Sequence, residues 1–169
     1  MGSWGVTARQ SDRGLDYLDL IVSRCLKPIN FKNFDVNAIL EMLRNHIIGV
    51  IRKEEEPYME NKADVWEYIA CNVPKSYNYV VLLVAEILVE YFQKGEVMFH
   101  DYDTDKKMKI TEFIFTDSDL YELLKELEEM LNPKHEMSTS WFEPETLNEW
   151  QSHVNMLCDC LKRGFGSNG

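Results

Sequence analysis

Ser76-Tyr77-Asn78-Tyr79-Val80-Val81-Leu82-Leu83-Val84-Ala85-Glu86-Ile87-Leu88-Val89-Glu90-Tyr91-Phe92-Gln93-Lys94-Gly95 is the stretch that decides the fold. Tyr79, Val80, Leu83, Val84, Ile87, Leu88, Tyr91 and Phe92 recur at intervals of three and four and so line one side of a helix. Ser76 is placed to cap its start, and Gly95 to end it. The apolar run Val80 to Ala85 meets Glu86 almost at once, far short of the roughly 18 residues of a membrane span. This is the pattern of a core helix in a soluble protein.

Helical spacing also dominates the chain upstream. Ser11 caps a first helix carrying Leu15, Leu18, Ile21, Val22 and Cys25, which ends before Lys27-Pro28. Asn33-Phe34-Asp35 offers the next cap, followed by Val36, Ile39, Leu40, Leu43, Ile47, Ile48, Val50 and Ile51 up to Glu54-Glu55-Glu56-Pro57. A shorter helix from Asn61 or Lys62 holds Val65, Trp66, Ile69 and Cys71, and Val73-Pro74 is expected to close it.

Downstream of Gly95 the period changes to two. Glu96 to His100 and Met108 to Phe115 are rich in β-formers, with a polar connection from Asp101 to Lys107, and read as a β-hairpin over about residues 97–115. Thr116-Asp117-Ser118-Asp119 then caps a helix with Leu120, Leu123, Leu124, Leu127, Met130 and Leu131 inward, ending at Asn132-Pro133. Lys134 to Ser140 reads as a loop, and Pro144 opens a closing helix with Leu147, Trp150, Val154, Leu157, Cys158 and Leu161. The prediction is an α-dominant α+β fold of about six helices and one hairpin, a single domain over residues 1–169.

The chain opens Met1-Gly2-Ser3-Trp4-Gly5 and soon runs into Ser11-Asp12-Arg13-Gly14-Leu15-Asp16. Trp buries one of the largest apolar side chains, so Trp4 predicts a docked N-terminus. Met1, Gly2, Trp4, Gly5, Asp12, Leu15 and Asp16 resemble the bacterial domain-of-unknown-function 4259 family, whose members open Met-Gly-x-Trp-Gly ahead of an amphipathic helix. The likeness covers roughly the first 20 residues, and more weakly Trp150, His153, Leu157 and Leu161 near the end. Arg9-Gln10 depart from the family pattern. The resemblance implies no catalytic residues.

Charge carries the functional signal. With 29 acidic and 18 basic residues the net charge is −11. Residues 1–53 are net +3, whereas residues 112–149 hold eleven carboxylates against Lys125 and Lys134, net −9. Such a segment repels phosphate backbones, which bind by cationic neutralisation, so direct nucleic-acid binding is not expected. It suits the reverse role, an acidic face steered onto a basic protein surface. Four cysteines without a C-x-x-C pair and no secretory apolar run point to a reducing cytoplasm.

Three groups of residues are candidates for chemistry. Asp101, Asp103, Asp105 and Glu112 have the spacing of a calcium loop at positions one, three, five and twelve, a set that would hold calcium or magnesium. Lys106 stands where such a loop needs glycine, Lys107 and Lys109 add positive charge, and the flanks read as strands, so a solvated hairpin turn is the expected reading. His46, His100, His135 and His153 with Cys158 and Cys160 lack helical metal spacing, and no local signature marks a Cys/His catalytic pair. Finally, Trp141, Phe142 and Glu143 fall in a loop inside the acidic segment that also holds Glu122, Glu126 and Glu129, joining large anchors to charge, although Trp141 equally suits a staple packed before the last helix.

No phosphate loop, nucleophile elbow, zinc-protease motif or dinucleotide fingerprint is present in the sequence. The expectation is a non-enzymatic acidic interaction protein of bacterial or phage origin, without cofactor or membrane partner. It would bind and inhibit a basic protein such as a nuclease or nucleic-acid-binding effector, in the manner of immunity or anti-CRISPR proteins, with Glu122, Glu126, Glu129, Trp141, Phe142 and Glu143 as its contact residues. The alternatives are a metal-binding protein using Asp101 to Glu112 and an enzyme with a Cys/His site.

Overall fold

The computed structural model describes residues 6–59, 61–141 and 143–165. Gly2, Trp4, Gly5 and Phe142 lie outside the described residues. Among the described residues there are six α-helices: α1 (Asp12–Leu20), α2 (Val36–Glu55), α3 (Lys62–Lys94), α4 (Asp117–Met130), α5 (Glu136–Thr139) and α6 (Pro144–Gly164). Four short strands accompany them: β1 (Phe34–Asp35), β2 (Val97–Asp101), β3 (Lys106–Ile110) and β4 (Phe113–Ile114). The fold is α-dominant α+β, as the residue pattern implies. No helix among the described residues is long and apolar enough to cross a membrane.

The second half of α3 is the centre of the molecule. Every residue from Tyr77 to Val89 is buried, so the helix is covered all round and not along the single stripe expected. Helices α1, α2, α4 and α6 pack around it. Into that core α6 sends Trp150, Val154, Leu157 and Leu161, and α4 sends Leu120, Leu123 and Leu127.

Helix α3 also corrects the predicted break at Pro74. It runs without interruption from its Asn61 cap, whose side chain accepts the Asp64 N–H, to the left-handed Gly95. Proline removes the bond to the carbonyl four residues back, here Ala70. Both residues are exposed, so that carbonyl is open to solvent, and packing of Val65, Ile69 and the buried second half holds the helix together. The count of six survives because α5 forms within the segment read as a loop. His135 Nδ1 accepts the Met137 N–H at its start, and the Ser138 hydroxyl donates to the Met130 carbonyl.

At the N-terminus, α1 passes into a π-helical turn, Ile21–Leu26. The wider turn puts Leu26 into the core five residues after Ile21, while Leu15, expected inward, is 44% exposed. Ahead of α1, residues 8–10 form a 3-10 turn pressed against Gly14. A Cβ on Gly14 would lie 1.9 Å from the Ala8 carbonyl oxygen. Gly14→Ala must push this segment off α1, and a loss of about 1–3 kcal/mol in urea unfolding is expected. An unchanged midpoint would mean that the segment yields at no cost.

The hairpin is shorter than predicted. Strands β2 and β3 pair antiparallel from Val97 opposite Ile110 to Asp101 opposite Lys106, turning through Asp105 at φ 51. Phe113-Ile114 leaves it and pairs in parallel with Phe34-Asp35. Ile110 and Phe113 are both buried, yet three residues apart, and one continuous strand cannot point both to the same face. The exposed Thr111-Glu112 step resets the register. Phe113 then stacks on Phe34 at 4.8 Å and on Tyr91 at 4.1 Å between centroids.

Candidate interaction surface

Helix α4 is fixed at its start by a reciprocal cap. The Thr116 hydroxyl accepts the Asp119 N–H, and the Asp119 carboxylate accepts the Thr116 N–H at 2.7 Å. With the leucines turned into the core, Glu122, Glu126 and Glu129 follow one another at four and three residues along one outer face. Glu129 has Lys125 at 4.0 Å, and the neighbouring Glu128 pairs with Lys162 at 2.9 Å. Among the described residues, Glu122 and Glu126 have no ion pair. Tyr121, beside them, is 61% exposed.

Glu122 and Glu126 border a cleft of about 210 Å3 that also contains Arg44, Tyr77 and Lys125. The Arg44 guanidinium sits 4.6 Å from the centre of the Tyr77 ring. Burial pushes the Tyr77 phenol above its ordinary pKa; Arg44 opposes this, and the carboxylates of Glu122 and Glu126 add to it. Two carboxylates of the α4 stripe thus share this cleft with the cations of Arg44 and Lys125 over an aromatic floor.

The expected aromatic anchor is elsewhere. Trp141 is partly buried against the core, its ring 6.1 Å from that of Trp150, in a crevice shared with Ala8, Tyr79 and Met137. Tyr77 and Tyr79 lie about 200° apart around α3. The crevice of Trp141 and the acidic cleft therefore stand on different sides of that helix and are not brought together. Glu143 is exposed at the N-cap of α6, with the Thr146 hydroxyl 3.5 Å from its carboxylate.

The four carboxylates with calcium-loop spacing are separated. Asp101 is buried and accepts the Thr104 hydroxyl at 2.8 Å and the Asp103 N–H at 3.2 Å, while the Lys27 ammonium lies 3.3 Å away. Its carboxyl is held below the usual range, first by Thr104 and then by Lys27. Asp103 reaches the same ammonium at 3.0 Å, Asp105 turns to His100 at 3.0 Å, and Glu112 is exposed beyond β3 with its carbonyl accepting the Phe34 N–H. Lys27 occupies the position at which the first two carboxylates converge. Among the described residues no group of three or more His, Cys, Asp or Glu side chains is gathered to hold a metal.

Among the described residues no hydrogen bond joins a histidine to a cysteine. Cys158 is buried, and burial followed by Glu128 pushes its thiol up to about 11. His46 is lowered by burial and by the nearby Arg24. His153 Nε2 lies 2.8 Å from Glu86 Oε1, and that oxygen also accepts the Ala8 N–H at 2.7 Å. Glu86 is the polar residue that periodicity leaves without a role, although its place inside an otherwise apolar run marks it.

No family model, curated protein or solved structure matches the chain.

Proposed function

We propose that this is a non-enzymatic acidic interaction protein that binds a basic protein partner through α4 and covers the surface by which that partner engages nucleic acid. A bacterial or phage-encoded inhibitor of a nuclease or nucleic-acid-binding effector would need this charge complementarity. The observation that supports the reading is the outward stripe Glu122, Glu126 and Glu129, exposed at Glu122 and Glu129 and half-buried at Glu126, placed in a segment of net charge −9 and with two of its three carboxylates free of ion pairs among the described residues. Tyr121 takes the anchoring role that sequence assigned to Trp141 and Phe142, since its ring stands outside the core on the same helix. A rim of unpaired charge speeds encounter, and the aromatic beside it slows release.

The test is capture of partners from a host extract by the immobilised protein. A basic protein should be retained at about 0.1 M salt and released near 1 M, where the screening length falls from roughly 10 to 3 Å. The triple substitution Glu122→Lys, Glu126→Lys and Glu129→Lys should slow association with that protein by about tenfold or more. Retention at high salt, or equal binding by the triple variant, would sink the reading.

A further inference from the structure

A second cleft, of about 480 Å3, opens where the C-terminal ends of α3 and α6 meet. Its apolar wall is Tyr91 and Phe92, and Cys160 and Arg163 face them. Two glycines shape it, Gly95 by leaving open space and Gly164 by letting an aromatic ring pack close. Gly95 ends α3 without a side chain, and a Cβ on Gly164 would lie 2.7 Å from the Phe92 ring, so that ring rests directly on the α6 backbone. The wall is held from behind: Tyr91 stacks on Phe113 at 4.1 Å, and Phe92 meets Phe115 edge-on at 5.5 Å. It is therefore formed before any ligand arrives, and its volume is that of small-molecule sites, roughly 300–1,000 Å3.

Charge selects the occupant. Lys162 is engaged by Glu128 at 2.9 Å, and Lys94 by Glu90 at 3.1 Å. Arg163, which lines the cleft, is exposed and has no ion pair among the described residues. In a chain of net charge −11, a guanidinium beside an aromatic wall is a fixed point of attraction for an anion. We propose that this cleft binds a small aromatic anion, its ring against Tyr91 and Phe92, its acid group on Arg163, and Cys160 at its flank. The site uses no residue of α4 and stands apart from the partner-binding reading.

The probe is 8-anilino-1-naphthalenesulfonate, compared with the uncharged 1-anilinonaphthalene. The native protein should bind one sulfonate per chain with saturable fluorescence, and about tenfold more tightly than the uncharged ring. Arg163→Glu, a surface change, should erase that preference while leaving thermal unfolding unchanged. Cys160→Trp should fill the cleft and abolish both. In a Cys25→Ser, Cys71→Ser background, bound sulfonate should slow alkylation of Cys160 several-fold. No saturable binding to the native protein, a charge preference that survives Arg163→Glu, or binding retained by a folded Cys160→Trp would each overturn the proposal.

Discussion

Trp150→Ala is expected to lower the free energy of unfolding by about 3–5 kcal/mol, a large part of the 5–15 kcal/mol that holds a domain of this size. Trp150 is 1% exposed and ranks first by volume among the fully buried side chains. It sits on the α6 stripe that packs against α3 and α4, with Trp141 beside it. Removing the indole leaves a void beside Ala8 of the 3-10 turn, Leu82 of α3 and Met137 of α5, separate elements that cannot close it by a common movement. Urea unfolding followed by far-UV circular dichroism measures the loss. A change below about 1 kcal/mol would mean that the core collapses around the site and that the ring is not its keystone.

Glu86→Leu should cost about 2–4 kcal/mol for a different reason. Glu86 has only 8% of its side chain exposed, and its two oxygens serve three donors: the N–H groups of Ala8 and Arg9, and His153. A leucine keeps most of the volume but strands all three. Arg9 also reaches Glu90 at 2.6 Å, so Ala8 and Arg9 are tied to α3 at two successive turns. Loss should appear first at residues 8–10, as faster amide exchange, with global stability falling in step. Glu86→Gln keeps an acceptor and should cost less. In a double-mutant cycle with His153→Leu, coupling of about 1 kcal/mol or more is expected, and additive losses would show that Glu86 and His153 act independently.

The parts of the fold legible in sequence are those fixed by local periodicity. The Asp35 cap of α2, the Thr116 cap of α4 and Pro144 at the start of α6 all occur where residue chemistry puts them. What sequence misjudged depended on distant neighbours. Pro74 reads as a stop until its exposure and the packing of Val65 and Ile69 are known. The π-helical turn at Ile21–Leu26 differs from α-helix by one residue per turn, too little for a short apolar pattern to register. One misreading was avoidable, because the three-residue step from Ile110 to Phe113 already contradicts a single strand.

The candidate site divides in the same way. The spacing of Glu122, Glu126 and Glu129 is a helix property and holds in the structure. Trp141 follows α5 without regular structure of its own, where backbone direction is set by tertiary contacts, and its ring turns to Trp150. Asp101 and Asp103 looked like ligands for an external cation because Lys27, which meets them, is far away in sequence.

The parallel contact of Phe34 with Phe113 bears on the order in which the molecule assembles. Helices and the β2–β3 hairpin close short loops and form within microseconds. The β1–β4 pair joins residues separated by both long helices and the hairpin, so its closure entropy must be met before its few hydrogen bonds are made. It belongs to the end of folding, after α2 and α3 have come together and turned Tyr91 towards the place where Phe113 will stack. Weakening this pair should accelerate unfolding far more than it slows folding, which makes two residues of sheet a latch on the lifetime of the native state.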